Sequence, residues 1–190
     1  MNWIDNIKNY IPYNEQEATD KETMLYAINT FNNLLTRENP LAHFSSSGYI
    51  VNKDRTKVLM IYHNIYNSWS WTGGHTDGEE DFLHVAIKEA KEETGIKHIR
   101  PISENIFSLD VLPVPPHVKR GKFISSHLHL SVAYLLEADE EDELKIKEDE
   151  NSGVKWIPMD EVRVYSTEPD MIKLYEKFHE KIANMMELKK

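Results

Sequence analysis

An α+β fold, a mixed sheet with interspersed helices and a helical extension in front of it, is the class this sequence predicts. Three observations carry it. Residues 1–38 place apolar side chains at three- and four-residue steps, the chain beyond Pro40 changes to short β-rich runs, and two later stretches, 81–94 and 169–188, return to helical spacing. The length of 190 residues suits one domain plus an extension. With 40% apolar and 28% charged residues, the chain has the composition of one that buries a core.

Trp3, Ile4, Ile7, Tyr10 and Ile11 mark a first helical face, which Pro12 interrupts. Met24, Leu25, Ile28, Phe31, Leu34 and Leu35 mark a second across residues 14–37. Together they read as an extension, residues 1–38, whose apolar face packs on the domain of residues 39–190, forms a homodimer surface or acts as a lid. Residues 45–51 and 58–63, joined by the polar turn Asn52-Lys53-Asp54-Arg55, read as a hairpin. Trp69, Ser70 and Trp71 form a short segment ending at Gly73-Gly74. Asp81 is a good N-cap and Gly95 a good stop, so one helix fits between them. Strands follow over 105–112 and 126–136; in the second, Leu128, Leu130, Val132, Tyr134 and Leu136 alternate with His127, His129, Ser131, Ala133 and Leu135. Residues 139–150, rich in acid, read as a solvated turn, and 154–157 as a last short strand. The closing helix, 169–188, carries Ile172, Tyr175, Phe178, Ile182 and Met186 on one stripe.

Charge narrows the function. The balance of 22 Lys and Arg against 32 Asp and Glu gives −10, which repels a phosphate backbone, so no nucleic-acid polymer is expected as partner. An acidic protein that handles phosphate groups needs divalent cations to bridge the like charges. The absence of cysteine excludes disulfides, thiolate metal sites and cysteine nucleophiles. Residues 1–6 lack the basic start of a signal peptide, and no stretch approaches the ~18 apolar residues of a membrane span. A soluble, cytoplasmic protein without a membrane partner is the expectation.

The chemistry concentrates in residues 73–96. Glu89, Glu92 and Glu93 stand at i, i+3 and i+4 on the helix after Asp81, which puts three carboxylates on one face. Alone, such a triplet is most often a charged surface. The glycine-rich entry changes that, because a loop without side chains lets backbone groups approach a metal or phosphate beside the same helix. The full spacing resembles the signature of the Nudix hydrolases: a glycine, five residues, a glutamate, seven residues, then Arg-Glu-aliphatic-x-Glu-Glu-x-Gly-aliphatic. Here it reads Gly74, Glu80, Lys88, Glu89, Ala90, Glu92, Glu93, Gly95 and Ile96, and only Lys88 departs from it. With average residue frequencies such a coincidence has a chance on the order of 10⁻⁸ to 10⁻⁹.

The resemblance implies an α/β/α sandwich and an enzyme that cleaves a diphosphate linkage in a nucleoside diphosphate derivative or nucleoside triphosphate, with Mg²⁺ or Mn²⁺ as cofactor and a small-molecule substrate. It carries Glu89, Glu92 and Glu93 over as metal ligands with the Gly73 carbonyl, Glu89 also as candidate base alongside Glu93, and Gly74 as the glycine of the substrate loop. Glu80 takes a support role. Lys88 supplies a point charge where the family has a planar arginine fork, so its brace around Glu80 and Glu92 is expected to be looser. Family members recruit a further carboxylate from beyond the signature; Glu150, six residues before Trp156, is the choice here and Glu148 the second, with a solvated loop as the alternative. A regulatory Nudix domain with little turnover is the other functional reading.

Further candidates line the substrate side. Lys119, Arg120 and Lys122 lie in a stretch that prolines and Gly121 mark as a loop, and could receive a phosphate or another acidic substrate group, with a solvated loop between strands as the alternative. His127 and His129 share a strand face and are placed to line a substrate pocket or touch a metal. With no third ligand at zinc spacing, core or wall histidines are the alternative.

Overall fold

The computed structural model describes residues 2–119 and 121–187. Two compact units emerge, one built from Met1–Gly48, Gly73–Glu89 and Pro101–Leu135, the other from Tyr49–Thr72, Ala90–Arg100 and Leu136–Lys190.

In the first unit, Asn2 caps α1 (Trp3–Asn9) by accepting the Asp5 N–H at 2.9 Å, and Asn14 caps α2 (Glu15–Thr30) by accepting that of Glu17 at 2.9 Å. Helix α2 stops well short of the predicted residue 37. Phe31 turns extended, and Asn32-Asn33 follow, poor helix formers whose side chains compete for the backbone. The segment beyond is then free to pair, and the Leu34 carbonyl receives the Phe44 N–H at 2.8 Å. The extension docks by more than its apolar stripe. Trp3 packs against Phe44 and Phe82, with ring centroids 5.2 and 5.7 Å away. The fully buried Glu17 accepts from the Tyr13 N–H and from the Tyr10 and Ser108 hydroxyls, which satisfies a carboxylate that burial alone would penalise.

Strand β1 (Ala42–Val51) is buried along its whole length, and its paired partner β4 (Thr72–His75) carries the glycine pair. Strand β6 (Ser108–Val114) runs antiparallel to β9 (His127–Ala138), from Ser108 opposite Ala133 to Val114 opposite His127. Residues 130–136 of β9 are buried on both faces, so the predicted alternation gives way to the continuous run of a central strand. At its outer end Leu128 is 37% exposed while His127 and His129 are partly buried, the reverse of the expected in-and-out pattern. Within the stretch 113–122, read from the sequence as a loop, β7 (His117–Lys119) pairs antiparallel with β8 (Lys122–Ile124), and Gly121 between them has φ +76°.

In the second unit, β2 (Lys57–His63) pairs with the end of β1, with β3 (Ser68–Ser70) and with β10 (Asn151–Pro158), all antiparallel. Strand β10 begins three residues before the predicted start, and its register shifts between Asn151 and Val154, where Ser152-Gly153 break the strand pattern. The short β5 (Ile99–Pro101) and α4 (Val162–Tyr165) have no periodic signal long enough to read. Helix α5 (Pro169–Glu187) buries Tyr175, Phe178 and Ile182; Phe178 packs on Tyr49 and Trp71 at 5.0 and 5.5 Å between centroids.

The Tyr49 hydroxyl lies 2.6 Å from His179 Nε2 and donates a hydrogen bond to the neutral imidazole. Burial holds the His179 pKa below the usual histidine value, with Glu176 opposing the shift. As pH falls, His179 of the unfolded chain therefore takes up a proton from solvent before that of the folded chain, and stability falls as pH drops below about 6.5 toward the lowered folded value. Urea unfolding at pH 7.5 and 5.5 should show the parent losing more stability than His179→Gln, by at most about 1.4 kcal/mol for one proton over one pH unit.

Candidate active site

Helix α3 (Phe82–Thr94) begins where predicted. The Asp81 carboxylate accepts the His84 N–H at 2.9 Å, and Glu79 accepts the N–H groups of Glu80 and Asp81 at 2.9 and 3.0 Å. The turn ahead of it is pinned within the first unit. Arg37 grips Asp77 with a two-pronged contact at 2.9 and 2.8 Å, and the Thr76 hydroxyl and Gly78 N–H both donate to the Leu35 carbonyl at 2.8 Å. The Ser46 hydroxyl of β1 donates to the Phe82 carbonyl, which fixes the start of the helix to the strand.

The glycine pair is there for closeness. A Cβ on Gly73 would stand 2.3 Å from Ser47 Oγ and 2.9 Å from the Ser46 carbonyl oxygen. One on Gly74 would stand 2.6 Å from the carboxyl carbon of Glu89. The backbone of β4 thus lies directly on the first carboxylate of the triplet, an approach that only glycine allows.

Phe82, Val85, Ala86 and Ala90 form the buried stripe of α3, and Glu89 and Glu93 continue it. Glu93 is only 3% exposed, whereas Glu92 faces solvent. A carboxylate in a core position among like charges calls for compensating positive charge. Two lysines supply part of it. Lys88 Nζ lies 3.6 Å from Glu89. In the second unit, Lys147 Nζ bridges Glu92 at 3.3 Å and Glu150 at 3.0 Å, so an ammonium stands between the helix carboxylate and the loop carboxylate singled out from the sequence. Sequence reasoning missed Lys147, since nothing in the pattern of an acidic run with two lysines, Lys145 and Lys147, selects one of them.

It also missed Asn151. This fully buried side chain donates to the Glu93 carbonyl at 2.9 Å and accepts the Lys147 N–H at 3.3 Å, tying the loop of Glu150 to the end of α3. Beyond Glu93 the helix ends as predicted, at Gly95 with φ +73°, where a Cβ would meet Lys145 at 2.8 Å.

The remaining candidates are dispersed. Glu80 is exposed, and its carboxylate has no hydrogen bond or ion pair among the described residues. Glu148 is exposed and touches Asn64 through its carbonyl, while Glu150 is the partly buried one. Lys122 is exposed on β8, Lys119 ends β7, and Arg120 lies outside the described residues. His127 and His129 stand beside two histidines from other strands, His43 of β1 and His75 of β4. Their separation in the sequence hides the group from any spacing search.

The donor set of α3, oxygen throughout, fits a hard divalent cation. Comparison with known proteins shows the family. The profile of the NUDIX domain matches residues 42–178. A protein of Pelagibacter ubique named RNA pyrophosphohydrolase is 30% identical over 118 residues, 60% of this chain and 74% of its own. Among solved structures, a C. elegans Ap4A hydrolase aligns with a TM-score of 0.54 at 21% identity, over 74% of this chain and 98% of that one. A NUDIX-family hydrolase from Clostridium perfringens does so at 0.52 and 20%, over 74% and 97%. The family model and the named relatives make the chain a hydrolase of diphosphate bonds. The chain belongs to the Nudix family. Its α+β fold with N-terminal helices is the one the sequence predicts. Among the described residues no helix is long and apolar enough to cross a membrane.

Proposed function

We propose that the protein hydrolyses a diphosphate linkage in a small nucleotide, a nucleoside diphosphate derivative or nucleoside triphosphate, with Mg²⁺ or Mn²⁺. The observation that carries this reading is the near-complete burial of Glu93 on the helix face that also bears Glu89 and Glu92. Glu89, Glu92 and Glu93, with the Gly73 carbonyl and Glu150, are the residues that would hold the cation. When bound, such a cation neutralises diphosphate charge, polarises the P–O bond and lowers the pKa of water.

The chain's own groups do the rest. Glu89, held under Gly74, is positioned to take the proton of the attacking water, with Glu93 as the alternative base. Lys88 adds positive charge beside Glu89, and Glu80 keeps only the support role that the resemblance implies, since its carboxylate has no partner among the described residues. Gly74 offers a side-chain-free surface to phosphate oxygens. His127, His129, Lys119, Arg120 and Lys122 belong to the substrate side. The same reading divides the chain into an extension, 1–38, and a catalytic domain, 39–190. It places the protein in the cytoplasm, with a homodimer as the assembly to look for.

The net charge of −10 favours small nucleotides over a polymer. A panel of nucleoside triphosphates, nucleoside diphosphate derivatives, Ap4A and 5′-triphosphorylated RNA, incubated with Mg²⁺ or Mn²⁺ and resolved by product, tests this. Cleavage at a diphosphate of a small nucleotide is expected. RNA as the only substrate turned over would overturn the substrate class, and turnover of none would overturn the reading itself.

A further inference from the structure

Three separate strands bring histidines to one place in the first unit. His43 comes from β1, His75 from β4, and His127 and His129 from β9, with ring centroids of neighbouring pairs 4.8 to 5.2 Å apart. One ring nitrogen from each of His43, His75 and His129 lies within 4.8 Å of the other two.

Two of the nitrogens lack partners. Nε2 of His43 and Nε2 of His129 are both buried without a hydrogen bond. His43 is 5% exposed, and its Nδ1 lies 3.3 Å from the Asn39 carbonyl. That contact assigns the proton to Nδ1 and leaves Nε2 as a bare lone pair, the tautomer a metal-binding imidazole adopts when a carbonyl holds its far side. Burial, reinforced by the neighbouring histidines, holds the His129 pKa down to about 2, and burial also lowers that of His43. Two buried ring nitrogens without a hydrogen-bond partner, beside a third ring, are a cost to the fold unless something fills the point between them.

We propose that His43, His75 and His129 form a binding site for a borderline divalent transition metal, with Zn²⁺ as its representative, separate from the carboxylate set of α3. The chemistry separates the two. Imidazole nitrogen suits Zn²⁺, Co²⁺ and Ni²⁺, whereas carboxylate oxygens suit Mg²⁺ and Mn²⁺. Three histidines around Zn²⁺ leave a fourth position open to water or a substrate oxygen. With Zn–N bonds of about 2.0–2.1 Å the nitrogens close to roughly 3.3 Å from one another, a contraction within reach of small rotations of the three rings. His127 is the nearest further ring, and its Nδ1 is engaged by the Ser125 carbonyl at 2.9 Å. Strand β4 joins the two chemistries, since Gly74, packed on Glu89, directly precedes His75. The inference rests on the histidines alone and stands whether or not the proposed substrate class is right.

Co²⁺ is the probe. Full-length protein stripped with chelator and held in excess Mg²⁺ is titrated with Co²⁺, read by the intense visible bands of a four- or five-coordinate ion, and then with Zn²⁺ in competition. One equivalent is expected, displaced by Zn²⁺, with affinity at least 100-fold weaker in His129→Asn and His75→Asn and unchanged in Glu92→Gln. His75 is only partly buried, so His75→Asn keeps the test usable if His129→Asn fails to fold. Zn²⁺ should also raise the Tm of the parent and leave that of His75→Asn unmoved. Absence of the bands in the parent, parental affinity in His75→Asn, or loss of the site in Glu92→Gln would overturn the proposal.

Discussion

Glu93→Gln is expected to lower kcat by about 10²- to 10³-fold, the scale on which one preorganised group at a reacting centre acts. Glutamine matches glutamate in shape, so the buried position stays filled and only the charge is lost. In chelator the Tm should hold or rise, because a like charge leaves a crowded helix face. Kinetics over a Mg²⁺ titration, with thermal melts of the same samples, separate the two effects. A variant with the parental kcat would remove Glu93 from the site. In the same titration Glu150→Gln should raise the Mg²⁺ concentration for half-maximal activity, whereas Glu148→Gln should leave it near the parent's.

Gly74→Ala should cost rate while Gly73→Ala costs stability. The added methyl on Gly74 meets the end of the Glu89 side chain, which can swing away, so folding survives and the carboxylate is misplaced. A displacement on the order of 1 Å at a reacting group lowers the rate by about 100-fold. On Gly73 the methyl meets the Ser46 carbonyl and the Ser47 backbone, which cannot yield cheaply, and a loss of about 1–3 kcal/mol is expected. Measuring kcat and Tm for both variants tests the pair; equal losses in both quantities would mean that closeness to Glu89 is not what selects Gly74.

The contrast between neighbouring glycines shows what the sequence could convey. Long periodic stretches were legible: α3 starts beside its Asp81 cap and ends at Gly95, and α5 follows its apolar stripe. The reading failed where the signal was short or nonlocal. Helix α2 ends at Thr30 because Phe31 turns out to pair the following segment with β1, a tertiary outcome that its apolar steps do not encode. The paired strands β7 and β8 have three residues each, too short for a period to show. Of the candidate site, the carboxylate triplet could be read because all its members sit within one helical turn. Lys147, Asn151 and the meeting of His43, His75 and His129 could not, because each depends on strands and loops far apart in the chain.

Divalent-cation dependence is the center of the proposed chemistry, and the most direct measurement is the rate on the best diphosphate of the panel before and after chelation. Hydrolysis should fall to background in EDTA and return when Mg²⁺ or Mn²⁺ is restored in excess, with no recovery in Glu93→Gln beyond its own low rate. Undiminished turnover in EDTA would contradict a cation held by Glu89, Glu92 and Glu93.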